Sequence, residues 1–217
     1  MDMNSIEIRK HRIPSGYETR VFFIDGRPLY EYFNAWISKD DELWARLYNP
    51  DMLEITWGGV MDSEGDNRFI RFLLQQDKVC LPVLSCPDDM DFNCILIVAD
   101  VVKENGKVFW KRLGIVNNTR ESAWPSAEYG IRHYDNFTDE EWDLYGDIVF
   151  EPEDSQKYKE WISANWSEEL YRRRINYTYP FLQNEENTTW FADCSFEFDS
   201  EEYEAVVRSC YQDEQEK

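Results

Sequence analysis

Cys94 to Ile115 reads CILIVADVVKENGKVFWKRLGI, and the fold turns on how this stretch is read. Cys94 to Val102 is a nearly continuous apolar run of strand length, which predicts a central strand buried on both faces. Glu104-Asn105-Gly106-Lys107 follows. Asn-Gly is favoured in type I′ turns, where both central residues need positive φ. Val108 to Ile115 then returns as the antiparallel partner, so one hairpin seeds a sheet.

Upstream, Val79 to Cys86 (VCLPVLSC) predicts a further strand. Pro82 confines it to an edge or a bulge, because proline lacks the N–H a ladder needs. Pro87 to Asp91 forms an acidic turn before the hairpin. Residues 5–13 (IEIRKHRIP) and 17–25 (YETRVFFID) alternate and are rich in β-branched and aromatic residues, with Pro14-Ser15-Gly16 between them. They predict two strands joined by a turn, and Asp25 to Pro28 gives the next turn. Leu29 to Tyr48 reads as mostly helical. Ser38 is its internal cap, with Asp41 placed to reach back, and Leu43, Trp44 and Leu47 share a face. Asn49-Pro50 ends it. Residues 51–66 read as a loop around a short strand, and Arg68 to Gln75 fits helix or strand equally.

Downstream, residues 116–137 are irregular. Thr138 opens a helix with Glu141 at the capping-box position, and Trp142, Tyr145 and Val149 follow on one face. Ser155 opens another, running to about Ile175 on the spacing of Tyr158, Trp161, Ile162, Trp166, Leu170 and Tyr171. Arg172, Arg173 and Arg174 fall in its last turn, where cations suit the helix dipole, and Pro180 stops it. Trp190 to Phe198 alternates as one strand that rejoins the sheet. Ser200 caps a final helix with Tyr203 at its third position and Val206, Val207 and Cys210 inward. Residues 210–217 read as a frayed tail. No repeat or linker divides the chain, which predicts a single α+β domain over residues 1–217, a mostly antiparallel sheet with several helices.

The chain has 217 residues, with 44 acidic against 23 basic side chains, a formal net charge of −21. Thirteen Phe, thirteen Tyr and nine Trp argue for a packed core. The field of such a chain repels nucleic acid and anionic membrane and attracts basic partners. Met1 to Arg12 is charged and has no apolar signal core, and no window is apolar enough to span a bilayer. Cys80, Cys86, Cys94, Cys194 and Cys210 form no CxxC pair. Together these features predict a cytoplasmic protein with free thiols.

Catalytic signatures are thin. Cys80, Cys86 and Cys94 lack the paired spacing of structural zinc ligands and read as small buried side chains; a Cys86–Cys94 disulfide is the lesser alternative. Asp88-Asp89-Met90-Asp91 lacks the glycine and terminal glutamate of a calcium loop. No GxSxG elbow occurs, the two histidines (His11 and His133) offer little choice of base, and Trp57-Gly58-Gly59 is no phosphate loop. No catalytic residue, metal or cofactor is expected.

Acidic surface remains. Residues 139–154 hold eight acids and no base, and residues 185–204 hold a second such run. Asp139, Glu140, Glu141, Trp142, Asp143, Tyr145, Asp147, Glu151, Glu153 and Asp154 are therefore the expected partner-binding set: rings as anchors, carboxylates to speed encounter with a basic protein. The bland alternative is a helix that buries its rings and exposes its acids.

Leu84 to Gly114 (LSCPDDMDFNCILIVADVVKENGKVFWKRLG) resembles a pattern in small acidic bacterial proteins, where a Cys, an acidic turn, a second Cys, an apolar strand and a V-x-W strand follow in order. FIDGRPLYEYF (Phe23–Phe33) and FEFDSEEYEAVV (Phe196–Val207) are similar to the ends of that group. This chain lacks the CxxC-like cluster sometimes seen between the two Cys. The resemblance implies a toxin-immunity protein, with a basic toxin domain such as a nuclease as partner. An enzyme with a carboxylate or cysteine centre and an oligomer-forming module are the other two readings.

Overall fold

The computed structural model describes residues 3–39, 41–47, 49–119 and 124–212. The hairpin lies in the middle of the larger sheet. Strands β1 (Ile6–Arg12), β2 (Glu18–Ile24) and β3 (Arg27–Pro28) make one three-stranded sheet. Strands β4 (Glu54–Ile55), β5 (Lys78–Ser85), β6 (Leu96–Glu104), β7 (Lys107–Val116) and β8 (Thr188–Ala192) follow one another across a second sheet, and β9 (Phe196–Asp199) also pairs with β7. Every pairing is antiparallel. Asn105 and Gly106 take φ of 54° and 73°, as the turn between β6 and β7 requires. Pro82 sits at a register shift between β5 and β6, and its carbonyl accepts from Thr56 Oγ1 at 2.8 Å and Trp57 Nε1 at 3.0 Å.

Helices are α1 (Leu29–Trp36), α2 (Glu42–Leu47), α3 (Glu64–Leu74), α4 (Asp139–Val149), α5 (Gln156–Ala164), α6 (Trp166–Arg173), α7 (Tyr179–Gln183) and α8 (Ser200–Gln212). The ambiguous Arg68–Gln75 segment is helix: Ser63 caps α3 through Gly65 N–H at 3.2 Å. The expected helical run ends within α2 at Leu47; Tyr48 lies outside the described residues.

Six expectations are corrected. At α2 the cap is Asp41, whose Oδ1 accepts from Leu43 N–H at 2.8 Å, in place of Ser38. At α8 it is Asp199, whose Oδ1 accepts from the N–H groups of Glu201 at 2.9 Å and Glu202 at 3.1 Å; Ser200 is already helical. The helix expected over 155–175 breaks at Asn165, whose φ of −125° and ψ of 26° separate α5 from α6. Pro180 stops nothing: it lies in the first turn of α7, where a missing N–H costs no hydrogen bond. The strand expected over Trp190–Phe198 is two. Ser195, at φ 49°, interrupts it, and β8 and β9 pair with different halves of β7. The tail was expected to fray from residue 210, but α8 continues to Gln212, with Cys210 buried; residues 213–217 lie outside the described residues.

The main core runs in sequence from Ile6 to Cys210. At its centre Phe22, Trp57, Trp110, Phe198 and Tyr203 meet edge to face or tilted, with centroids 4.8 to 6.4 Å apart where they touch. These rings come from β2, the segment after β4, β7, β9 and α8, so they join both sheets to the last helix. Trp110 Nε1 donates to Tyr203 Oη at 3.2 Å, both groups fully buried. Tyr203→Phe strands that donor and should cost about 1–3 kcal/mol in urea unfolding. A loss within experimental error would show that the bond carries no stability.

Candidate interaction site

The expected partner-binding residues fall on α4 and the segment after it, and the structure sorts them. The capping box is present: Glu141 N–H donates to Thr138 Oγ1 at 3.2 Å, and Thr138 N–H donates to Glu141 Oε2 at 2.9 Å. Asp139, Glu140 and Glu141 occupy the first turn, where the helix dipole favours negative charge. The inner face of α4 carries Tyr145, Ile148 and Val149. They pack with Ile131, Phe137, Tyr158, Trp161 and Ile162 in a satellite core separate from the main one.

The two aromatic residues expected to share a face both meet Phe137, Trp142 at 5.5 Å and Tyr145 at 6.0 Å, but differ in what else they touch. Tyr145 belongs to the satellite core, its ring 5.9 Å from Trp161. Trp142 turns outward and stacks on Phe150 at 6.2 Å, and both touch Tyr134, at 5.7 and 5.3 Å. Trp142 and Phe150 are eight residues apart on one helical face, and Gly146 puts no side chain between them. The three rings form an exposed patch: Tyr134 is 37%, Trp142 38% and Phe150 67% accessible. Neither Tyr134 nor Phe150 was singled out from the sequence. The signal available was the spacing of Trp142, Gly146 and Phe150 at four-residue steps.

The acids separate in the same way. Glu141 is held by Arg172 at 2.7 Å, Glu151 by Lys157 at 3.1 Å, and Glu153 by Arg132 at 3.7 Å. Asp139, Glu140, Asp143, Asp147 and Asp154 are exposed and make no ion pair among the described residues. Asp139, Asp143 and Asp147 recur at four-residue steps and form a row along α4. The second acidic run is paired to the same extent: Glu185 meets Arg112, Glu197 meets Lys107 and Glu204 meets Lys103, while Glu186, Asp193, Asp199, Glu201 and Glu202 make no ion pair among the described residues. What it lacks is an exposed ring cluster beside its acids.

Three successive arginines fix this site to the body; Arg172 and Arg173 fall in the last turn of α6, as expected, Arg174 follows as its cap, and all three make ion pairs besides. Arg172 bridges Glu141 (2.7 Å) and Glu168 (2.8 Å), with its guanidinium 4.8 Å from the Tyr145 ring centre. Arg173 binds the fully buried Glu169 at 2.7 Å and donates to Pro125 O at 3.0 Å; Glu169 Oε2 in turn accepts from Ile131 N–H at 2.8 Å. A side chain at Gly130 would put its Cβ 2.0 Å from Glu169 Oε1, so glycine leaves the room this carboxylate occupies. Arg174 opens a π-type turn, Arg174–Thr178, and pairs at 2.7 Å with Asp66 on α3, both side chains only 3% exposed. Burial pushes the Asp66 carboxyl up despite Arg174. The Glu141 carboxyl lies below the usual carboxylate range, chiefly through the Thr138 N–H and then Arg172.

Chemistry of other kinds finds little footing. His133 lines a cavity of about 370 Å³ with Arg68, Phe137, Tyr171 and Arg172. No serine or cysteine lines it, and its carboxylates, Glu141 and Glu168, are engaged by arginines. Burial pushes the thiols the wrong way for a nucleophile: Cys80 to about 12, Cys94 and Cys194 to about 11. All five cysteines are free, Cys86 and Cys94 included. Among the described residues no three His, Cys, Asp or Glu side chains gather as a metal set. No helix among them is long and apolar enough to cross a membrane. Comparison of the chain with protein-family models, with curated proteins and with solved structures finds no match.

Two outcomes follow. Arg174→Met leaves Asp66 buried and unpaired, so urea unfolding should show a loss of about 3–5 kcal/mol; adding Asp66→Leu should recover most of it. The lowered Glu141 pKa contributes stability that is complete above the unfolded-state pKa and disappears as pH falls through the folded-state value. Thermal midpoints should place Glu141→Gln below the wild type at neutral pH, with the gap closing in acid. A constant gap would assign the effect to the capping geometry alone.

Proposed function

We propose that this chain is a cytoplasmic protein-binding module that docks a basic protein on the outer face of α4. The observation that carries this reading is the exposed ring cluster Tyr134–Trp142–Phe150 beside the α4 row Asp139, Asp143 and Asp147, whose carboxylates make no ion pair among the described residues. Large rings left partly in water are an unmet hydrophobic demand; full burial of such a ring gives roughly 1.5–3 kcal/mol, of which a partner gains the share still exposed, largest at Phe150. Carboxylates beside them speed approach of a cationic surface and disfavour anionic ones. A partner with a phosphate-binding cleft offers the matching field, which is how an immunity protein would cover a nuclease toxin. Nucleic acid and anionic membrane are disfavoured by the same charge.

A second copy of this chain fits the face poorly. A two-fold pairing of α4 with itself would set Asp139, Asp143 and Asp147 against their own equivalents. An enzymatic reading has no observation in its favour.

The test is binding kinetics against a panel of basic nuclease domains at several salt concentrations. Association with a true partner should slow steeply as salt rises. Replacing Asp139, Asp143 and Asp147 together by Asn should slow it about tenfold. Trp142→Ala should act on dissociation, raising it about thirtyfold or more, as truncating a central anchor does. Salt-independent binding, or wild-type kinetics in both variants, would overturn the proposal.

A further inference from the structure

The first strand breaks the electrostatic pattern. β1 reads Ile6-Glu7-Ile8-Arg9-Lys10-His11-Arg12, three cations and a histidine in succession in a chain of net charge −21. Arg20 of β2 lies opposite Lys10 in the register, but its guanidinium turns inward to Trp57 O at 3.2 Å and Cys210 O at 3.4 Å, so the surface charge is that of β1. Against it stand Glu7 and Glu18, so the ribbon is a cationic island. Arg9 lies 3.8 Å over the Phe23 ring and 3.5 Å from Glu7, both side chains more than half exposed. Lys10 and Arg12 are exposed and form no ion pair among the described residues.

β1 is also an edge, with β2 on one side. The phase of its hydrogen bonds follows from the two ends of the ribbon. Asp25 N–H donates to Ser5 O at 3.1 Å, and Ile13 N–H to Tyr17 O at 2.9 Å. Odd-numbered residues of β1 therefore exchange bonds with β2, and even-numbered ones direct their N–H and C=O groups outward. Asn4 obeys this rule: its N–H reaches across to Glu197 O on β9 at 2.7 Å. Beyond Asn4 no strand among the described residues continues along that side, but α8 packs against β1, with Ile8 half-buried on the main core. Lys10 and Arg12, which are exposed, thus present their outward backbone groups between basic side chains.

We infer that the outer edge of β1 is a second interaction surface, which takes an acidic, extended peptide segment as an added strand. Main-chain bonds to Lys10 and Arg12 supply the pairing, and Arg9, Lys10, His11 and Arg12 select carboxylates. The charge argues for a different chain over a second copy. Antiparallel β1–β1 pairing would bring the Arg9–Arg12 runs together, and like charges directly opposite are destabilising. The exposed backbone argues for a peptide over a nucleic acid, which would not use those donors and acceptors. This surface is independent of the α4 face.

A fluorescent octapeptide of alternating Glu and Val is the probe. Its Lys-Val counterpart and a single-stranded oligothymidine are the comparisons, and binding is read by anisotropy and amide hydrogen exchange. The Glu-Val probe should bind, slow exchange at Lys10 and Arg12, and leave α4 unchanged. Arg9→Glu with Arg12→Glu should weaken it tenfold or more. Lys10→Pro removes one outward N–H while leaving the bonds to β2, so it should weaken binding while the thermal midpoint stays near wild type. Equal binding of the Lys-Val probe, or no effect of Lys10→Pro, would overturn the inference. Preferential binding of oligothymidine would overturn it in favour of a nucleic-acid surface. No binding by any probe would also overturn it and leave Lys10 and Arg12 as guards against edge-to-edge aggregation.

Discussion

Everything at the α4 face depends on the arginine run Arg172–Arg174. Successive helical residues point about 100° apart, so three adjacent arginines reach in three directions. One holds the cap of α4 through Glu141, one holds the loop carrying Ile131 through the buried Glu169, and one locks into α3 through Asp66. The satellite core under α4 is separate from the main core, so apolar packing alone ties the two weakly. Ion pairs do the joining. Buried pairs of this kind add little net stability over apolar substitutes, yet removing one partner is severe, which makes them good at fixing position.

With 23 basic side chains for 44 acids, where the cations go decides where the field is strong. Arg112, Lys107 and Lys103 pair with Glu185, Glu197 and Glu204, and Arg172–Arg174 are consumed at the α6 junction. Along the outer row of α4 no carboxylate meets a cation among the described residues; Lys157 reaches only the Asp147 carbonyl, at 2.9 Å. The row's negative potential is thus a product of allocation as much as of composition. The same allocation leaves β1 with spare positive charge.

The fold was readable where one local signal had no competitor. Asn105-Gly106 between apolar runs can form little but a tight hairpin, and Thr138 with Glu141 can form little but a cap. Reading erred where neighbours offered the same chemistry: Asp41 and Asp199 serve as caps next to the serines at 38 and 200. RFIRFLLQ satisfies both periods, so α3 could not be told from a strand until the Ser63 cap was seen. Alternation over Trp190–Phe198 hid the break at Ser195, because a single left-handed residue interrupts pairing without changing which residues are apolar. The role of Arg172–Arg174 was out of reach in a different sense. Their partners lie at positions 66, 141, 168 and 169, and only the last two are local.

The interaction site was half legible for a related reason. Acidic runs show in sequence, but whether each acid meets a cation depends on distant residues, and what separates the α4 run from 185–204 is the exposed ring cluster beside it, not its share of ion pairs. Trp142 and Tyr145 look alike at three-residue spacing, yet one faces solvent and the other the satellite core. The distinction matters mechanistically. Carboxylates alone attract any cationic surface and release it as easily, since exposed pairs are worth about 1 kcal/mol or less and are screened by salt. Rings alone would invite aggregation. Set side by side on a helix that Arg172 holds in place, the acids govern which surfaces arrive and the rings govern which of them stay.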